Sequence, residues 1–69
     1  MRDVSVIGLG AMGSAIANAF LNASYDATVW NRSPEKMEPF RHTGVRCAAT
    51  AAAAAFESPV VVVCIDDYA

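Results

Sequence analysis

The run Gly8-Leu9-Gly10-Ala11-Met12-Gly13 constrains this chain more than any other feature. It follows an apolar stretch, Val4-Ser5-Val6-Ile7, and opens a segment whose apolar residues fall at Met12, Ala15, Ile16, Ala19 and Phe20. That spacing marks one face of a helix, predicted from about Ala11 to Asn22. A second short run, Ala27-Thr28-Val29-Trp30, follows and reads as a strand. Strand, glycine turn, helix and strand form the setting in which G-x-G-x-x-G binds a dinucleotide. The glycines alone say little, because glycine clusters in ordinary turns. The flanking elements make the reading specific.

Each glycine has its own task. Gly8 permits the sharp exit from the strand. Gly10 lets a pyrophosphate approach the backbone, and Gly13 lets the helix pack against the first strand. The N–H groups and the positive dipole end of the helix then face the phosphates.

A second candidate site follows the second strand. About twenty residues beyond the fingerprint, NAD-binding proteins carry an acid that accepts hydrogen bonds from the adenosine ribose. Here that place holds Asn31, followed by Arg32, Ser33 and, one turn on, Lys36. A carboxylate there would repel a 2′-phosphate; an amide does not, and Arg32 can grip a phosphate through its planar fork of donors. The cluster predicts NADP(H) rather than NAD(H). Ser33 and Pro34 also suit a helix start, and the two roles are compatible.

A helix is expected from Pro34 to about His42, stopped by Gly44, with Pro39 forcing a kink or an irregular turn. Val45-Arg46-Cys47 reads as a third strand, and Thr50 as the cap of a helix over Ala51 to Glu57. Val60 to Ile65 is the most β-branched run and reads as a strand buried on both faces. The expected architecture is α/β, a parallel Rossmann-type sheet of order 3-2-1-4. The end of the fourth strand, Ile65-Asp66-Asp67-Tyr68, would emerge where ligands bind. Asp66 and Asp67 are adjacent, so their side chains point apart, and a solvated turn suits them better than an acid–base pair.

Composition excludes several classes. The chain has 69 residues, 55% of them apolar, and a net charge of −2. It is too apolar for disorder and lacks the basic stripe of a nucleic-acid binder. Cys47 and Cys64 lie far apart with no zinc-ligand spacing. No apolar stretch suits a membrane span, the N-terminus does not read as a signal peptide, and a cytoplasmic location is expected. The length accommodates only the first half of a doubly wound fold, which would leave the Val60–Ile65 strand as an exposed edge.

Val6-Ile7-Gly8-Leu9-Gly10-Ala11-Met12-Gly13 resembles the opening of the β-hydroxyacid dehydrogenase superfamily, including 3-hydroxyisobutyrate dehydrogenases and the NADP-binding domain of 6-phosphogluconate dehydrogenase. Val29-Trp30-Asn31-Arg32-Ser33-Pro34-Glu35-Lys36, with Ser58-Pro59 before the valine run and Cys64, Asp67 and Tyr68 after it, is most similar to NADPH-dependent imine reductases. The resemblance implies a Rossmann domain, a linking helix and a C-terminal helical domain swapped in a homodimer, with hydride passing from nicotinamide to a C=N carbon. It implies that the backbone of Gly8, Leu9, Gly10, Ala11, Met12 and Gly13 meets the pyrophosphate. Asn31, Arg32, Ser33 and Lys36 would hold the 2′-phosphate, and the backbone of Cys64, Ile65 and Asp66 would border the nicotinamide. No residue matches the family's proton donor. Residues 1–69 are therefore expected to be the N-terminal part of such a domain, inactive alone, with the small-molecule substrate bound only in a longer enzyme. The other readings are a fragment of a 3-hydroxyacid dehydrogenase, or a non-catalytic nucleotide-binding module or gene remnant.

Overall fold

The computed structural model describes residues 3–64. The elements run β1 (Asp3–Ile7), α1 (Ala11–Asn22), β2 (Asp26–Trp30), a 3₁₀ helix (Pro34–Phe40), β3 (Arg46–Cys47), α2 (Ala51–Glu57) and β4 (Val60–Val63). The sheet has the expected order, β3-β2-β1-β4, with every pairing parallel. The register sets Val6 beside Val29 on one side and beside Val62 on the other. Parallel strands in this order require a crossover between each pair, and the helical segments supply them.

Strand alternation divides the sheet into two faces. Val4, Val6, Ala27 and Val29 meet α1 and the 3₁₀ helix, and form the core with Leu9, Ala17, Met37, Phe40 and Val45. Ser5 and Thr28 point the other way, beneath α2. Ser5 is fully buried, and its hydroxyl donates to the Ala54 carbonyl at 2.6 Å. Ala54 is itself fully buried, so the small side chains of the alanine tract let α2 lie close on the sheet. Thr50 caps α2 as expected, its hydroxyl oxygen accepting the Ala53 N–H at 3.0 Å.

Three expectations need correction. The buried face of α1 is one residue out of phase with the predicted one. Gly13 and Ala17 are buried, and Ile16, Phe20 and Leu21 pack partly against the core, whereas Met12 is 67% exposed. The cause is Gly13, which turns its open side to the first loop and so fixes the rotation of the helix. Second, the segment from Pro34 is a 3₁₀ helix ending at Phe40, not an α-helix reaching His42. Pro39 has no N–H to extend an α-helical ladder, and the shorter i→i+3 pattern accommodates it over a few residues. Third, β4 is not buried on both faces. Val60, Val61 and Val63 remain 54%, 36% and 59% exposed, because α1 and α2 pack over β1 and β2 rather than over β4, and no strand pairs its outer side among the described residues.

The end of α1 is made without glycine. Ser24 takes the left-handed conformation at φ 65°. The Ser24 N–H then bonds the Leu21 carbonyl, and the Tyr25 N–H bonds the Phe20 carbonyl, both at 3.0 Å. That is a Schellman termination, and its hydrophobic contact is the Phe20–Tyr25 ring pair, 4.9 Å between centroids.

Candidate cofactor site

Because β1, β2 and β4 are parallel, the segments after them emerge on one edge of the sheet. Gly8, Asn31 and Cys64 begin these segments, and backbone hydrogen bonds join them. The Gly8 N–H donates to the Trp30 carbonyl and the Cys64 N–H to the Ile7 carbonyl, each at 2.8 Å.

The first loop is shaped by steric exclusion. Gly8 has φ +98°, and a Cβ there would stand 2.0 Å from the Cys64 carbonyl oxygen. A Cβ on Gly13 would stand 1.8 Å from the Gly8 carbonyl oxygen. Both contacts are far inside van der Waals distance, so the strand end, the helix start and the Cys64 backbone meet at a point that admits only glycine. Gly10, the N-cap of α1, has φ −69°, open to any residue, so backbone conformation does not reserve that position for glycine. The first N–H groups of a helix have no intrahelical acceptor. Those of Gly10, Ala11, Met12 and Gly13 lie in this turn, whereas Ser14 already donates to the Gly10 carbonyl at 2.8 Å.

Leu9 has a different position from its neighbours in the fingerprint. Its side chain is 2% exposed, within the core. Its carbonyl accepts from the Ser14 hydroxyl at 3.0 Å, and its N–H donates to Asn31 Oδ1 at 2.8 Å. Asn31 Nδ2 donates in turn to the Ser33 carbonyl at 3.0 Å. The N–H groups of Gly8 and Leu9 are thus engaged within the protein, which leaves Gly10 to Gly13 as the donors of the turn.

In the second loop Arg32 and Lys36 are exposed, and Arg32 has no ion pair among the described residues. Ser33 is the N-cap of the 3₁₀ helix, but its side chain makes no capping hydrogen bond. Its hydroxyl therefore remains available beside Arg32. Cys64 is half-buried against Gly13, its Cβ 3.4 Å from where a Gly13 Cβ would lie. Ile65 and Asp66, the other expected members of the site, lie outside the described residues, as do Asp67 and Tyr68. A separate cleft lined by Thr28, Arg46, Cys47, Ala48, Ala53 and Glu57 lies between β3 and α2 and includes none of the fingerprint. No group of three or more potential metal ligands occurs among the described residues, and none of their helices is long and apolar enough to cross a membrane.

The family described as the NAD binding domain of 6-phosphogluconate dehydrogenase matches residues 3–69. This chain belongs to that family. The NAD-binding domain has curated relatives that include an NADPH-dependent reductive aminase of Aspergillus oryzae, 31% identical over 93% of this chain and 22% of that protein. Another is the human cytokine-like nuclear factor N-PAC, 33% identical over 96% of this chain and 12% of that protein. Among solved structures, an imine reductase of Myxococcus stipitatus in complex with NADP+ superposes with a TM-score of 0.89. It is 44% identical, and the match covers 96% of this chain and 23% of that one. The chain thus spans under a quarter of the length of these relatives.

Motifs in the sequence mark both loops of the domain. The Asn31 bridge between them is not encoded in that spacing. The one available signal was chemical: an amide carries a donor and an acceptor where a carboxylate has acceptors only.

Proposed function

We propose that residues 1–69 are the N-terminal part of the NADP(H)-binding Rossmann domain of an oxidoreductase, an imine reductase that transfers hydride to a C=N bond. The observation that carries the NADP(H) reading is Arg32, exposed and without an ion pair among the described residues, in a loop with no carboxylate between Trp30 and Pro34. Gly10 to Gly13 donate N–H groups to the pyrophosphate. Arg32, the Ser33 hydroxyl and Lys36 bind the 2′-phosphate, and the backbone from Cys64 through Asp66 borders the nicotinamide. The bound cofactor supplies the hydride; these residues supply binding and orientation.

The imine reductase assignment rests on likeness to the reductive aminase and imine reductase above. The remaining strands, the C-terminal helical domain, the homodimer and the substrate belong to the longer enzyme. The exposed outer edge of β4, which no strand pairs among the described residues, supports this, since a flat apolar edge is an aggregation site unless another strand or helix covers it. A nucleotide-binding module without a reaction is the second reading; one relative is named as a nuclear factor rather than as an enzyme.

In the full-length protein, Arg32→Ala should weaken NADPH binding by about ten- to hundredfold, the loss of one charge-assisted contact. NADH affinity should change little. Equal loss for both cofactors would remove the 2′-phosphate assignment. NADPH oxidation with a cyclic imine would separate the reductase from the module.

A further inference from the structure

We infer that Asn31 is a positioning residue that locks the fingerprint turn to the 2′-phosphate loop, rather than a direct ligand of the phosphate. The inference deepens the NADP(H) reading and rests on it for its consequence in binding. Asn31 is half-buried, and its amide is used at both ends: Oδ1 accepts the Leu9 N–H at 2.8 Å and Nδ2 donates to the Ser33 carbonyl at 3.0 Å. The orientation of the amide follows from its neighbours. A flip would set Nδ2 against an N–H and Oδ1 against a carbonyl, unfavourable at both ends.

The two partners belong to the two halves of the site. Leu9 lies between the strand end and the donors Gly10 to Gly13, anchored by its buried side chain and its carbonyl bond to Ser14. Ser33 begins the 3₁₀ helix, and its carbonyl also accepts the Lys36 N–H at 3.1 Å. One side chain therefore fixes the spacing between the turn that meets the pyrophosphate and the segment carrying Arg32, Ser33 and Lys36. It also satisfies a loop N–H that would otherwise lack a partner. This gives a second reason for an amide here, beyond avoiding charge. A carboxylate would keep the Leu9 bond but set an oxygen against the Ser33 carbonyl.

The test compares Asn31→Ala, Asn31→Asp and Arg32→Ala in the full-length protein. Amide hydrogen exchange at Leu9, read without cofactor, reports the bridge itself. Calorimetric titration with NADPH and with NADH reports its consequence. Asn31→Ala should speed Leu9 exchange by about tenfold, the loss of one hydrogen bond, and weaken both cofactors by similar factors. Arg32→Ala should leave Leu9 exchange unchanged. Asn31→Asp should restore Leu9 protection while weakening NADPH more than NADH. Unchanged Leu9 exchange in Asn31→Ala would overturn the bridge, and a loss confined to NADPH would make Asn31 a direct phosphate ligand. Because the exchange measurement needs no cofactor, it decides the bridge even if Arg32→Ala refutes the 2′-phosphate reading.

Discussion

Gly13→Ala isolates the contact on which the site is built. The added Cβ would lie 1.8 Å from the Gly8 carbonyl oxygen and 2.9 Å from its carbon, both backbone atoms. Ordinary contact begins at 3.4 Å, so the helix start and the turn must separate by about 1.6 Å, the difference between 3.4 and 1.8 Å. Neither side yields easily. Gly8 is held by its N–H bond to Trp30, and α1 is packed on the sheet through Ala17. Alanine gains about 1 kcal/mol of helix propensity over glycine. Forcing a methyl group into a closed contact costs about 1–3 kcal/mol, and more where the obstacle is backbone. We expect a net loss of about 2 kcal/mol, read from urea unfolding followed by Trp30 fluorescence. Gly44→Ala is the control, because Gly44 has φ +89° but nothing within 4 Å of an added Cβ, so only the left-handed conformation is penalised, by about 1 kcal/mol. Gly13→Ala should also weaken NADPH and NADH binding by at least about tenfold, since a displacement above 1 Å misaligns the Gly10 to Gly13 donors. If Gly13→Ala were no less stable than Gly44→Ala and bound cofactor normally, steric closure between Gly8 and Gly13 would not be what shapes the turn.

Two further predictions concern the scaffold. Ser24→Gly should raise the urea midpoint by the equivalent of about 0.5 kcal/mol, relief of left-handed strain being partly offset by glycine's freedom in the unfolded chain, while Ser24→Val should lower it. No difference between the two variants would contradict the left-handed termination of α1. Ser5→Ala should destabilise by about 1–3 kcal/mol in the same assay, because it leaves the Ala54 carbonyl without the buried hydroxyl at 2.6 Å; a neutral result would mean that the carbonyl finds another donor.

The sequence by itself determined the order and type of nearly every element, and it located the fingerprint turn and the Asn31–Lys36 loop proposed to hold the cofactor. Glycine spacing, β-branched runs and capping residues are local signals, and the strand order follows from the crossover rule that those elements obey. It also supplied the Asn31-Arg32-Ser33 cluster in place of an acid. Tertiary structure decided the rotation of α1, which periodicity placed one residue away. Alanine and methionine on either side of the true face blurred the pattern, and the contact between Gly13 and Gly8 set the phase. It decided that Ser24 would end the helix, because the Schellman bonds and the Phe20–Tyr25 contact together outweigh the strain of a left-handed serine. It decided that Pro34–Phe40 would be a 3₁₀ helix and that the valines of β4 would stand at an edge. It alone paired Asn31 with Leu9. The motif placed these residues in separate loops, and only the parallel register of β1 and β2 brings a donor from one within 2.8 Å of an acceptor in the other.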